Sequence, residues 1–189
     1  MKRRLTILAV PMVLVTVVLV ATVLPSGAHG ARDLRADLFG YNETPAVSTL
    51  ADGSFRASFG PGDQSITWTL TFEALQAPST QAHIHFGAPR TAGGVTVWLC
   101  SNLASPPTPA GVPPCATTTG TVSGTITAAN VVGPTAQGIA PGELSELVTA
   151  IRSGMAYANV HSTMFPSGEI RGQISVGEAG DRGGHGTDG

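Results

Sequence analysis

Apolar and polar residues alternate with a period of two along most of the chain, in short runs separated by Gly, Pro, Asn and Asp. A strand sends successive side chains to opposite faces, so such runs predict half-buried strands of an antiparallel sheet. The clearest is Ser65 to Phe72, with Ile66, Trp68, Leu70 and Phe72 on one side and Thr67, Thr69 and Thr71 on the other. Leu34 to Tyr41, Gly53 to Phe59, Thr80 to Phe86, Val95 to Leu99, Thr119 to Ala128, Met155 to His161 and Glu169 to Val176 complete the set. Gly60-Pro61-Gly62-Asp63 marks a tight turn, and Gly124 in mid-strand indicates a bulge or a close backbone approach. One stretch changes period. Between Pro141 and Gly154, Leu144, Leu147, Val148 and Ile151 recur at helical spacing, with Pro141 suited to the first helical position and Gly154 to the stop. The pattern predicts an all-β domain, a Greek-key β-sandwich or barrel of immunoglobulin-like or superoxide-dismutase-like type, with one short helix capping an opening of the sheet.

The two ends read differently. Lys2, Arg3 and Arg4 precede an almost wholly apolar stretch from Leu5 to Leu24, and Pro25-Ser26-Gly27-Ala28 supplies small residues. That layout predicts a signal peptide over 1–28, cleaved after Ala28. The competing reading is a retained membrane anchor, against which stand Pro11 and Thr16 within the run. Residues 31–176 form the β domain, and the Gly-rich, charged stretch 177–189 has no apolar period and reads as a disordered tail. The 189 residues carry ten Lys and Arg against twelve Asp and Glu. Removing 1–28 takes three of the basic residues and none of the acidic ones, which leaves a mature net charge of −5. Such a chain, with no basic cluster, is unsuited to nucleic acid or anionic membranes.

Cys100 and Cys115 flank a proline-rich segment. In an oxidising compartment two cysteines at this spacing predict a disulfide, whereas a thiolate metal site would need more thiols or a C-x-x-C spacing.

The candidate chemistry is concentrated in histidines. In Gln81-Ala82-His83-Ile84-His85-Phe86-Gly87, period two puts His83 and His85 on one face and Ala82, Ile84 and Phe86 on the other. Tyr157, Asn159 and His161 share a face of a later strand, as do Glu169, Arg171 and Gln173 of the last one, each opposite an apolar face. If these strands lie together, one sheet face carries three histidines with Tyr157, Asn159, Glu169 and Arg171 around them. Two readings follow. In one the face is a hydrogen-bonded polar cluster without a ligand. In the other His83, His85 and His161 are three neutral nitrogen ligands for copper or zinc, leaving a position for water or substrate. Ser162 and Thr163 beside His161 lack the context of a hydrolase nucleophile, and there is no phosphate-cradling Gly loop.

Three segments together resemble the CHRD domain, a module named from chordin and common in secreted bacterial proteins. They are Ala82-His83-Ile84-His85-x-Gly87, the stretch from Leu147 through Tyr157-Ala158-Asn159-Val160-His161, and Pro166-Ser167-Gly168-Glu169-Ile170-Arg171-Gly172-Gln173-Ile174. The resemblance runs from about Leu34 to Val176. It departs at His161-Ser162-Thr163, where the family usually has His-Thr directly, and the Cys-closed loop looks like an insertion. A shorter likeness to copper/zinc superoxide dismutase rests on His83-x-His85-Phe86-Gly87. That enzyme needs more histidines and an aspartate than this chain offers in strands, so a bridged two-metal centre is excluded. The CHRD resemblance implies a secreted, non-enzymatic module that binds an extracellular protein or ligand. The alternatives are a mononuclear copper or zinc oxidoreductase of dismutase type on the same three histidines, and a structural cell-envelope module. Contact with a membrane is expected only through an uncleaved N-terminal segment.

Overall fold

The computed structural model describes residues 32–104 and 107–177. The expected leader, 1–28, and the tail beyond Gly177 lie outside the described residues. Nine strands form one antiparallel sheet: β1 (Asp33–Phe39), β2 (Asp52–Phe59), β3 (Ile66–Glu73), β4 (Ser79–Phe86), β5 (Gly94–Ser101), β6 (Gly120–Ile126), β7 (Ala156–Ser162), β8 (Ile170–Gln173) and β9 (Ser175–Val176). One helix, α1 (Leu144–Arg152), precedes β7. The strands lie in the order β5-β4-β7-β8-β1-β2-β3-β6, with β9 also paired to β1. The two ends of this row come round toward each other. Val97 of β5 makes a bridge to Val131, shortly after β6, and the Val132 N–H donates to the Thr96 carbonyl. Of the two architectures the pattern allows, the protein adopts the nearly closed barrel.

Its interior is built by the apolar half of each alternation. β3 alternates buried and exposed residues over its full length, and β1 does the same out of phase. Leu38, Phe55, Ile66, Leu70, Phe72, Ile84, Leu99, Ile126 and Ile170 are all fully buried. Phe55 and Trp68 stack across the β2–β3 pair, their ring centres 6.5 Å apart. Burial of an aromatic or branched side chain stabilises by about 1.5–3 kcal/mol, so these positions set the sheet's register: a slip of one residue would turn them all to solvent. Register is uninterrupted from β1 through β2 and β3 to β6. Gly124 causes no bulge there. It provides room, since a Cβ at this position would come within 3.0 Å of the Trp68 ring.

The helix lays Leu144, Leu147, Val148, Ala150 and Ile151 onto the core and touches β7 and β9. It starts later than its sequence indicates. Pro141 stands ahead of it in a turn, Glu143 is the N-cap residue, and the Glu143 carboxylate accepts the Ala140 N–H at 2.7 Å. Its end is as expected. Gly154 adopts φ +69°, and the Met155 and Gly154 N–H groups return to the carbonyls of Ala150 and Ile151, the paired bonds of a Schellman stop. The last predicted strand is divided into β8 and β9 by Ile174, whose N–H donates to the Ala156 carbonyl.

Cys100 and Cys115 form a disulfide, tying the proline-rich loop to the end of β5. The entropy model credits closure of a loop of this length with about 3 kcal/mol. Replacing both cysteines by serine is therefore expected to lower unfolding stability by about 2–4 kcal/mol in urea melts, with the strand content by circular dichroism unchanged below the transition.

Candidate metal centre

β4 lies between β5 and β7, and its alternation separates two environments. Ala82 and Ile84 enter the core, while His83 and His85 stand on the outer face of the barrel. Across the β4–β7 ladder His83 faces Asn159, His85 faces Tyr157 and Gln81 faces His161. His161 is thus the diagonal neighbour of His83, at a distance long side chains can bridge. β8 continues the face, with Arg171 opposite Asn159 and Gln173 opposite Tyr157.

This outer face is not wet. His83, His85 and His161 are 2%, 8% and 6% exposed. Trp98 of β5 packs edge-on against His83 with ring centres 4.4 Å apart. Residues 87–93 fold across the other side: the Gly93 carbonyl accepts His85 Nδ1 at 2.9 Å, and its N–H donates to the Tyr157 hydroxyl at 3.2 Å. The Arg171 guanidinium donates to the Thr91 and Ala88 carbonyls and lies 3.4 Å over the Tyr157 ring. Tyr157 stacks nearly parallel on His85 at 4.7 Å. The turn after β7 closes the remaining side, its Pro166 carbonyl accepting His161 Nδ1 at 2.9 Å.

The three imidazoles meet beneath this cover. Their candidate ligand atoms all lie within 4.8 Å of one another, and no other group of three or more His, Cys, Asp or Glu of this kind occurs among the described residues. Proton positions follow from the partners. A carbonyl only accepts, so His85 and His161 carry their protons on Nδ1 and present bare Nε2 lone pairs. His83 Nδ1 then donates to His161 Nε2 at 3.2 Å. The Nε2 atoms of His83 and His85 are buried with no partner, and an unsatisfied buried polar atom costs about 1–3 kcal/mol. Burial holds all three rings neutral. It lowers the His83 pKa to about 2, with the neighbouring histidines adding to the effect, and that of His85 to about 4. It also lowers that of His161, against the Pro166 hydrogen bond.

Tyr157, Asn159 and Arg171 stand beside these rings, with Asn159 Oδ1 3.2 Å from His161 Nε2. Glu169 does not. Although its strand position pairs it with this face, its carboxylate is fully buried elsewhere, where Oε1 accepts the Thr49 hydroxyl and the Gln76 N–H, both at 2.9 Å. The carboxylate that does border the cluster is Glu43, from the turn after β1, where the sequence pattern marks only a strand end. Burial raises its pKa to about 7, against the opposing effects of the Thr44 backbone, Arg171 and Asn159. Trp98 is the other participant that alternation alone does not reveal.

With this geometry in place the comparison with known proteins is decisive: residues 34–174 match the family model of the CHRD domain. The chain belongs to the CHRD-domain family. No curated protein and no solved structure matches it. The match spans β2 through β8 completely, along with almost all of β1, and so contains every residue of the cluster in this CHRD domain.

The pKa shifts set opposite pH dependences. An unfolded histidine takes up its proton near pH 6.5, whereas folded His85 and His83 resist until about 4 and 2. Their contribution to stability is present above pH 6.5 and is lost as pH falls. Glu43 works the other way, because its folded pKa of about 7 exceeds the unfolded 4.5, so its burial is easier in acid. Three imidazoles outweigh one carboxyl. The melting midpoint of the metal-free domain is expected to fall from pH 7 to pH 4.5. Glu43→Gln should melt above the wild type at pH 8 and level with it near pH 4.5. A wild-type midpoint that holds steady or rises on acidification would show that the imidazoles are not buried neutral.

Proposed function

We propose that this CHRD domain is a non-enzymatic, extracytoplasmic binding module that holds one copper or zinc ion on His83, His85 and His161. The observation that carries the reading is the set of three converging, neutral imidazoles, two of which, His83 and His85, have buried Nε2 atoms that no protein group satisfies. A metal ion is the partner that bare imidazole lone pairs accept without a proton. The backbone carbonyls on the Nδ1 atoms of His85 and His161 are the outer partners that orient ligating histidines. Ligands at the corners of a tetrahedron with bonds of about 2.0–2.1 Å stand about 3.3 Å apart. Ligand atoms within 4.8 Å of one another thus call for the rings to draw in by up to about 1.5 Å on a tetrahedral ion. Nitrogen-only ligation by imidazole suits copper and zinc, and copper binds the tighter of the two.

The cover over the site supports retention rather than turnover. Rings exposed by 8% or less leave little approach for a substrate, which weighs against an oxidoreductase of dismutase type. A structural role does not account for the unsatisfied Nε2 atoms of His83 and His85. The disulfide, the family and the apolar N-terminal stretch together support work outside the cytoplasm, with an extracellular protein or ligand as partner.

The test is metal analysis of the mature domain made without a histidine tag. One equivalent of copper or zinc should survive dialysis, and loading should raise the melting midpoint, since a ligand at a thousand times its Kd adds about 4 kcal/mol. His85→Ala and His161→Ala should each abolish retention. Wild-type protein that takes up neither ion and shows no thermal shift would overturn the proposal.

A further inference from the structure

We propose that the seam of the barrel, between β5 and β6, is a binding slot for one neutral sugar residue. The slot shares only Trp98 with the histidine cluster and does not depend on a metal there. It supplies a ligand class for the binding module described above.

β5 and β6 are the two ends of the strand row, so each has an edge without a neighbouring strand. Two ties cross the free edge of β5. At one, beside the bridge from Val97 to Val131, the Val132 N–H donates to the Thr96 carbonyl at 2.9 Å. At the other, the Ser101 N–H donates to the Pro113 carbonyl, also at 2.9 Å, in the disulfide-tied loop. Between the ties β5 and β6 are not paired, and a cavity of about 270 Å³ opens there. The ties stand five residues apart along β5, about 17 Å at the rise of an extended strand. A peptide strand laid along β5 would meet a tie at either end, so the occupant is compact.

The floor of the slot is Trp68. Its side chain is 5% exposed, yet its indole N–H makes no hydrogen bond among the described residues. Gly124 leaves the space beside that ring open, because a Cβ there would stand 3.0 Å from the ring and 3.3 Å from Nε1. An indole N–H only donates, so the floor calls for an oxygen acceptor. One lip is Trp98, half-buried, its ring held against His83. On the other lip Ser123 and Thr125 project outward from β6, with hydroxyls that bond to no described residue. Asn130 stands near the Val97 end. Its Oδ1 accepts the Thr127 N–H and hydroxyl at 2.8 and 3.0 Å, which leaves the Nδ2 hydrogens free.

No Lys, Arg, Asp, Glu or His lines this slot. A charged ligand would lose its hydration and find no counter-charge. A wholly apolar one would strip water from the Trp68 and Asn130 donors and offer them nothing. A sugar ring meets both demands: its C–H face packs on indole, and its oxygens accept from N–H groups and exchange bonds with hydroxyls. The volume lies just below the roughly 300–1,000 Å³ usual for small-molecule sites, which suits one ring.

The experiment titrates the tag-free, chelator-treated mature domain with the methyl glycosides of glucose, galactose, mannose and N-acetylglucosamine. Tryptophan fluorescence and saturation-transfer NMR report binding. At least one glycoside should bind saturably below about 10 mM, and methyl glucuronide, which carries a charge, should bind at least about tenfold more weakly. Gly124→Val, which fills the space beside the indole, should abolish binding. Ser123→Ala and Asn130→Asp, the latter keeping the capping oxygen but not the free amide, should each weaken it about 3–10-fold. Should Gly124→Val fail to fold, the two exposed positions decide. The proposal is overturned if none of the four glycosides binds, or if both exposed variants bind as wild type does. A blocked neutral tripeptide, acetyl-Ala-Trp-Ala-amide, that binds where the glycosides do not overturns it too and assigns the slot to a protein partner. With chelator present throughout, failure here leaves the metal reading intact, and failure of metal binding leaves this one intact.

Discussion

Exclusion of water from the outer face of three adjacent strands is the constraint on which the rest of the structure depends. An antiparallel sheet ordinarily buries one face and wets the other. In the region of β4, β7 and β8 both faces are dry: β7 is buried at every one of its positions, where simple alternation would leave half exposed. The inner face is Ala156, Ala158 and Val160 against the core. The outer face is Tyr157, Asn159 and His161 beneath two loops and a tryptophan. Burial of a charged imidazole costs far more than burial of a neutral one, so the covering loops determine the protonation state. That state determines what the rings can bind.

The loops are held by main-chain groups, which makes the cover part of the fold rather than an addition to it. Ala88, Thr91 and Gly93 supply carbonyls to Arg171 and His85, and Gln173 donates to the carbonyls of Gly87 and Gly154. Arg171 has the largest share. Its guanidinium fastens the loop, lies over Tyr157 and provides positive charge near Glu43, so one side chain couples the loop to the stack on His85 and to the carboxylate beyond. Burial lowers its own pKa, while Tyr157 and Glu43 raise it.

Much of this was legible in the sequence because period two is a local signal. The alternation in Ile66 to Phe72 and in Ala82 to Phe86 assigns faces without reference to any other part of the chain, and it put His83 and His85 side by side. The helical spacing of Leu144, Leu147, Val148 and Ile151 is equally local. What the pattern missed depends on contacts distant in sequence. Glu43 sits in a short turn whose composition reads as a strand end, and its role exists only because β1 runs beside β8. Trp98 reads as one more apolar strand residue until the β4–β5 pairing sets it opposite His83. Glu169 shows the reverse error: its face was correct by alternation, but it lies just ahead of β8, where the chain leaves the ladder and the carboxylate turns to Thr49 and Gln76.

The position of Glu169 also separates two uses of a buried carboxylate in one small domain. Glu169 has a hydroxyl and a backbone N–H as donors and links three loops, and no pull from the histidines is needed to explain it. Glu43 is held differently: its Oε1 lacks a donor, as Glu169 Oε2 also does, and the Thr44 backbone, Arg171 and Asn159 only partly offset the burial that raises its pKa to about 7. A carboxyl buried with so few donors is an expensive element of structure. It lies beside three neutral imidazoles, of which His83 and His85 have Nε2 atoms without a partner. On the proposed metal reading, a cation on the histidines would satisfy the two bare nitrogens and offset the Glu43 charge at the same time.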